Sequence, residues 1–192
     1  MSRLERLLNG EERILWSGRP VMKAFVLPAL ASIPFGLFFL AFAVFWMANA
    51  PVSASSFFLI FGAVFILVAI AIALGPSLWQ LLRYRNTEYM ITDKRILTQT
   101  GAIGLDTRFV DFDKIQEVYV KIGVFDRLFG TGSLYAMTAG SPAFGPSMGP
   151  YQYGFGGMYG GLRPSLAALK KPYEVQKLLQ EAVERSKTSR QT

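Results

Sequence analysis

The stretch "AFVLPALASIPFGLFFLAFAVFWM" (residues 24–47) holds no ionisable side chain, and none occurs again until Arg83. As a helix rising 1.5 Å per residue it reaches about 36 Å, against a bilayer hydrocarbon core of roughly 30 Å. A second run, "FFLIFGAVFILVAIAIALGPSLW" (residues 57–79), is long enough to do the same. In a soluble domain such surfaces would press bare hydrocarbon against water. The sequence therefore predicts a transmembrane helical hairpin over residues 24–79, preceded by a cytoplasmic segment over residues 1–23.

Details within the runs sharpen that expectation. Pro28 and Pro34 predict a bend or a loosened first half, Gly75–Pro76 marks the exit of the second span, and Trp46 and Trp79 suit the lipid–water boundary. The linker "ANAPVSASS" is short and uncharged, so the two helices are expected to be antiparallel neighbours. Arg13, Arg19 and Lys23 precede the first span, and Arg83 and Arg85 follow the second. By the positive-inside rule this predicts a multi-pass protein of the cell membrane with both termini cytoplasmic. Ala48-Asn49-Ala50 has the form of a signal-peptidase site, but the leader and apolar run before it are too long for an ordinary signal peptide. Neither span carries a charge of the kind that marks an ion path or proton relay. An anchor, or a packing surface with Gly36, Gly62 and scattered alanines at close contacts, is the expectation.

Composition narrows the chemistry. The chain has 192 residues, 52 % of them hydrophobic, with no cysteine and no histidine. Disulfides, thiol or imidazole nucleophiles and Cys/His metal centres are therefore excluded. The net charge of +7 fits nucleic acid or anionic lipid head groups. Lipid is the simpler partner for a chain of this apolarity, and no nucleic-acid partner is expected.

From Thr87 the pattern changes to short alternating runs. "EYMI" and "RILTQT" flank the polar tetrad "TDKR", in which Asp93 suits a turn. "TRFVDF" and "IQEVYVKIG" follow; the latter sets Ile115, Glu117, Tyr119 and Lys121 on one face against Gln116, Val118, Val120 and Ile122. "VFDRLFGTGS" predicts a helical turn ending at Gly130, and "LYAMTA" and "SLAAL" predict further strands. "PYEVQKLLQEAVERSK" predicts a helix opened by Pro172, with Val175, Leu178, Leu179 and Ala182 on one apolar face. The fold class is α+β: antiparallel strands closed by one amphipathic helix, occupying residues 83–187, with residues 188–192 as a tail.

These residues resemble the bacterial pleckstrin-homology-like domains of small membrane proteins, also called membrane-flanked domains. The resemblance rests on "GEERILWSGRP", "YMITDKRILTQTG", "VDFDKIQEV" and "VFDRLFGTGS", in that order, and covers the chain except residues 141–161. It implies a partly open barrel of about seven strands capped by a helix, and it implies no reaction. Asp93 and Arg95 match the family's turn, whose first role is to fix the hairpin. Lys94 and Arg95 also resemble the basic residues with which eukaryotic relatives of the fold bind phosphoinositides.

Other motifs are weighed and mostly set aside. "GTGS" (residues 130–133) lacks the Lys and spacing of a P-loop. Asp106, Asp111 and Asp113 suggest a divalent-cation site, with Asp111 and Asp113 sharing one face of an extended segment, yet solvated surface carboxylates are the commoner outcome. The Gly/Pro-rich insertion over residues 141–161 carries Phe144, Met148, Tyr151, Tyr153, Phe155, Met158 and Tyr159 as candidate contacts with a partner, a second copy or the membrane interface. Candidate head-group contacts are Arg83, Arg85, Lys94, Arg95 and Arg163. No catalytic residue, cofactor or metal site is expected. The sequence thus predicts a non-enzymatic integral membrane protein displaying a docking or assembly domain, with a homo-oligomer or an accessory subunit of a larger membrane complex as the alternative. An unrecognised membrane enzyme is a third possibility.

Overall fold

The strand that closes the first sheet comes from an unexpected place. The computed structural model describes residues 4–8, 12–49, 56–139 and 165–188. Within the segment ahead of the apolar runs, Ile14–Gly18 forms strand β1. Its partner is β2, Glu88–Thr92, which starts only after the second apolar helix; Ile14 faces Thr92 and Gly18 faces Tyr89. The hairpin around "TDKR" is therefore not the first strand pair of the domain. The two long helices are instead an insertion between adjacent, hydrogen-bonded strands, and the chain returns next to where it left.

The remaining strands fall where alternation predicts them. β3 is Arg95–Thr100, β4 is Asp106–Asp111, β5 is Ile115–Lys121, β6 is Thr131–Thr138 and β7 is Leu166–Lys170. They form two antiparallel sheets, β1-β2-β3-β4 and β5-β6-β7. Alternation in β2 and β3 sends Tyr89, Ile91 and Ile96 inward and Met90 and Leu97 to the opposite face. That outer face is covered by Leu4 and Leu8, so residues upstream of β1 also pack on this sheet.

β5 departs from strict alternation. A register shift between Ile115 and Glu117 moves Ile115 off the face of Glu117, Tyr119 and Lys121 and into the core with Val118 and Val120. Helix α5, Pro172–Thr188, closes the core with Val175, Leu179, Ala182 and Val183, with Leu178 partly buried beside them. Gly130 ends the short helix α4, Val124–Phe129, in a left-handed conformation (φ 61°) that glycine adopts without steric cost.

The inserted helices follow a different packing rule. The first begins as α1, Met22–Val26, tightens into a 3-10 turn over Leu27–Ala31 at Pro28, and continues as α2, Ser32–Ala48. Helix α3, Ser56–Arg85, does not stop at Gly75–Pro76 but runs through Pro76. Ser32 Oγ donates to the carbonyl of Ala73 (3.2 Å) and Ser77 Oγ to that of Ala29 (3.3 Å), which satisfies backbone groups around the irregular turn. Gly36, Ala43, Ala69 and Ala73 are buried between α2 and α3, and a Cβ on Gly36 would fall onto Ala73. Phe38, Phe45, Phe57 and Leu67 point outward, each about two-thirds exposed or more. Both helices are long and apolar enough to cross a membrane.

Candidate functional site

The sheet domain has two ends of opposite character, set by strand direction. β2 leaves α3 and runs five residues, about 17 Å, before the chain turns. One end therefore meets the helices, and the other carries the Thr92–Arg95 turn.

At the helical end the junction is fixed by buried contacts. Ala24 and Phe25 of α1 belong to the domain core, with the Phe25 ring 6.2 Å from that of Tyr84 on α3. The Val21 amide donates to the Ala168 carbonyl (2.8 Å). Ala168 lies in β7 with φ 50°, a left-handed backbone that costs a non-glycine residue strain and is held here by its surroundings. Gln80 of α3 is fully buried; its Nε2 donates to the Phe25 carbonyl (3.0 Å), while its Oε1 has no partner among the described residues. Thr87 Oγ1 donates to the Arg83 carbonyl (2.6 Å), and Arg19 is ion-paired with Glu88. Helix α4 packs beside α1 at this same end. Of the predicted head-group cations, Arg83 is half-buried and Arg85 exposed here, at the foot of α3.

Lys94 and Arg95 lie at the far end. The hydroxyl of Thr92, rather than Asp93, organises the turn: it accepts from the amides of Lys94 (3.3 Å) and Arg95 (3.1 Å). Asp93 instead clamps the chain before β1, since its Oδ1 accepts from the Arg13 amide (3.2 Å) and its own amide donates to the Arg13 carbonyl (3.1 Å). Arg95 binds Glu12 through Nε (3.2 Å) and Nη2 (2.6 Å), and its guanidinium lies 4.9 Å from the Phe109 ring centre. Such a forked charge-assisted pair is geometrically specific and occupies the guanidinium. Lys94 is exposed.

The acidic trio does not assemble. Asp111 ends β4, and Phe112–Lys114 is a 3-10 turn, so Asp111 and Asp113 do not alternate along one strand as the sequence suggested. Lys114 Nζ donates to Asp111 Oδ2 (2.9 Å); that hydrogen bond raises the Lys114 pKa above its ordinary value. Asp106 pairs with Arg108. Among the described residues no three Asp, Glu, His or Cys side chains gather as a metal site. "GTGS" closes α4 and opens β6, and Asp126 caps the helix by accepting from the Gly123 amide (3.1 Å) and the Thr131 hydroxyl (2.7 Å). Phe144, Met148, Tyr151, Tyr153, Phe155, Met158, Tyr159 and Arg163 lie outside the described residues. A shallow groove of about 230 Å³ opens between Trp16, Lys170, Lys171 and the first turns of α5.

Sequence reasoning missed β1 and, with it, the roles of Glu12 and Arg13. The available signal was the run "ILWSG" just before "RP", but five residues with a partner 78 positions away (Ile14 to Thr92) carry little local information. The family model described as Bacterial PH domain matches residues 24–183. No curated protein and no solved structure matches the chain. The match takes in both long helices, six of the seven described strands and most of α5, with β1 lying just ahead of it. With two antiparallel sheets and a closing helix arranged as that resemblance implies, the chain belongs to the bacterial PH domain family.

Proposed function

We propose that this chain is a non-enzymatic integral membrane protein in which α1–α2 and α3 form a transmembrane hairpin and the PH-like domain stands at the cytoplasmic face as a docking or assembly module. The observation that carries the reading is the sorting of side chains on the hairpin. Small residues meet between the helices, and large apolar ones such as Phe38, Phe57 and Leu67 point outward. Water opposes that arrangement and lipid accepts it. Membership of the PH family supports a binding rather than a catalytic role. On this reading Arg83 and Arg85, at the foot of α3, are the cations nearest anionic head groups. Lys94 and Arg95 lie a strand length further away. The docking partner is a protein or a second copy, engaged by the domain and by the aromatic insertion over residues 141–161.

The chain has no cysteine, so single thiols report topology cleanly. In intact cells an impermeant maleimide is expected to label Asn49→Cys from outside and Lys187→Cys only after permeabilisation. Labelling of both without permeabilisation, or recovery of the chain in the soluble fraction after alkaline carbonate extraction, would overturn the reading. Mass spectrometry of complexes released in native nanodiscs tests the docking role, which predicts a stoichiometric second chain. A bare monomer under all conditions would contradict it.

A further inference from the structure

The connections at the two ends of the sheet domain differ in polarity. At the far end the two connections that are described throughout are polar: the β2–β3 turn carries Asp93 and Lys94, and the β4–β5 turn carries Asp113 and Lys114. At the helical end two connections are apolar, beside the charged β7–α5 connection at Lys170 and Lys171 and Arg19 after β1. The β3–β4 connection carries Ile103, 86 % exposed, and Leu105, 50 % exposed. It is tied to the foot of α3 by Asn86 Nδ2, which donates to the Ala102 carbonyl (3.4 Å), and by the contact between the Thr87 and Thr100 hydroxyls (3.2 Å). The β5–β6 connection is α4, whose Val124 and Leu128 are 86 % and 72 % exposed. Four residues apart, they lie on one side of that helix, and α4 packs beside α1.

A single exposed apolar side chain on a soluble surface is ordinary. Here four of them sit on two connections that are tied to or packed beside the helices, and the last turns of α3 expose Leu82, Trp79 and Leu78 as well. Lys23, Arg85 and Arg127 are exposed around the same end. Exposed apolar side chains at the foot of apolar helices, with cations at the same end, is the composition of surfaces that settle into the head-group boundary of a bilayer.

We propose that the sheet domain itself rests on the membrane. Ile103, Leu105, Val124 and Leu128 enter the interfacial layer, and Lys23, Arg85 and Arg127 meet the lipid head groups. The inference rests on the transmembrane reading of the hairpin and adds to it two further points of contact, one on each sheet. Three supports fix the tilt of the domain, so the Thr92–Arg95 turn always faces away from the lipid. The occupant of this surface is the bilayer interface, since both connections are joined to the apolar helices, one by the Asn86 hydrogen bond and one by packing on α1, and cations are exposed at the same end.

The test uses the full chain in phosphatidylcholine–phosphatidylglycerol vesicles, spin-labelled in turn at Ile103→Cys, Val124→Cys, Leu128→Cys, Lys94→Cys and Leu67→Cys. The first three substitutions fall on exposed positions and leave the core untouched. Oxygen, which partitions into lipid, and a water-soluble nickel chelate then report the surroundings of each label. Labels at positions 103, 124 and 128 are expected to show an oxygen-to-nickel accessibility ratio several-fold above that at position 94, at a depth of roughly 5–10 Å into the head-group boundary. A ratio equal to that at position 94, with position 67 deep in lipid, overturns the inference and leaves the hairpin reading standing. Protection from both reagents means that a second copy covers the patch, and also overturns it. Nickel access at position 67 defeats the hairpin reading, and this inference with it.

Discussion

The helical hairpin and the sheet domain solve the packing problem in opposite ways within one chain. The domain buries its large side chains, Phe112, Leu134, Leu166 and Leu179 all being 1 % exposed or less. The hairpin buries its smallest, Gly36, Gly62, Ala43 and Ala69, and turns Phe38, Phe45 and Phe57 out. In water, expelling large apolar groups drives folding, so the domain gains from volume in the core. Where the surroundings are as apolar as the side chains, that drive vanishes and close backbone approach through small residues takes over. On the transmembrane reading proposed above, the two regions are sorted for different solvents. They are joined where Phe25 and Gln80, from the two helices, sit fully buried against the domain.

Substitutions that follow one rule in the other region's territory test this contrast. Phe112→Ala removes a large side chain from the domain core and is expected to destabilise it by about 3–5 kcal/mol. Denaturant unfolding followed by tyrosine signals of the sheets should move to lower midpoint, while far-UV helicity from α2 and α3 persists. Loss of both together would mean the regions are not independently packed. The converse change is Gly36→Leu. Its Cβ would meet the backbone of Ala73, which cannot swing aside as a side chain can. Overpacking of this kind costs about 1–3 kcal/mol, here borne by the helices. Thermal melting in detergent should show the helical transition lowered and the sheet transition unchanged. A sheet transition that fell equally would sink the separation.

How much of this was legible in the sequence follows the same division. The helices were legible because a charge-free run is a local signal that needs no partner. The β2–β3 hairpin was legible from alternation around "TDKR", and α5 from the spacing of Val175, Leu179 and Ala182. What local pattern could not supply was long-range pairing. The exposed, short β1 is specified by β2 across the whole helical insertion, and "ILWSG" alone does not say so. The bulge at Ile115 and the passage of α3 through Pro76 are likewise not written in the local pattern; next to that proline Ser77 Oγ reaches across to the Ala29 carbonyl of the facing helix. Of the candidate site, Arg83 and Arg85 lie at the helical end, in the last turn of α3. The occupation of Arg95 by Glu12 was invisible because the partner lies 83 residues away.

That pair offers the next test, since it ties the segment before β1 to the domain. The Glu12 side chain is 2 % exposed and that of Arg95 19 %, so losing one partner leaves the other charge poorly solvated. Glu12→Gln is expected to cost about 2 kcal/mol of domain stability in chemical denaturation. Arg95→Met in the Glu12→Gln background should cost less than the two single changes added together, because the stranded guanidinium is then gone. Strict additivity would show that the residues before β1 do not couple to the hairpin.

The smallest expected effect lies on the solvent side of β5. The Tyr119 ring stacks on Tyr135, with centroids 4.9 Å apart and planes at 3°. Burial of the hydroxyl, and secondarily the charge on Glu117, raises the Tyr119 pKa above the ordinary 10.0. A folded-state pKa raised above the unfolded one means that the folded chain holds this proton more tightly. The contribution is fully present below about pH 10 and is lost as the pH climbs through the folded value. Lys114, whose pKa is raised chiefly by its hydrogen bond to Asp111, changes in the same direction in the same range. Tyrosinate absorbance should therefore show one component titrating later than the other tyrosines, and Tyr119→Phe should remove it. Glu117→Gln should bring it part of the way back toward the ordinary value, since that change takes away the charge and leaves the burial. A late component that survives Tyr119→Phe would assign the shift to another ring and break the link between this stacked pair and the alkaline edge of domain stability.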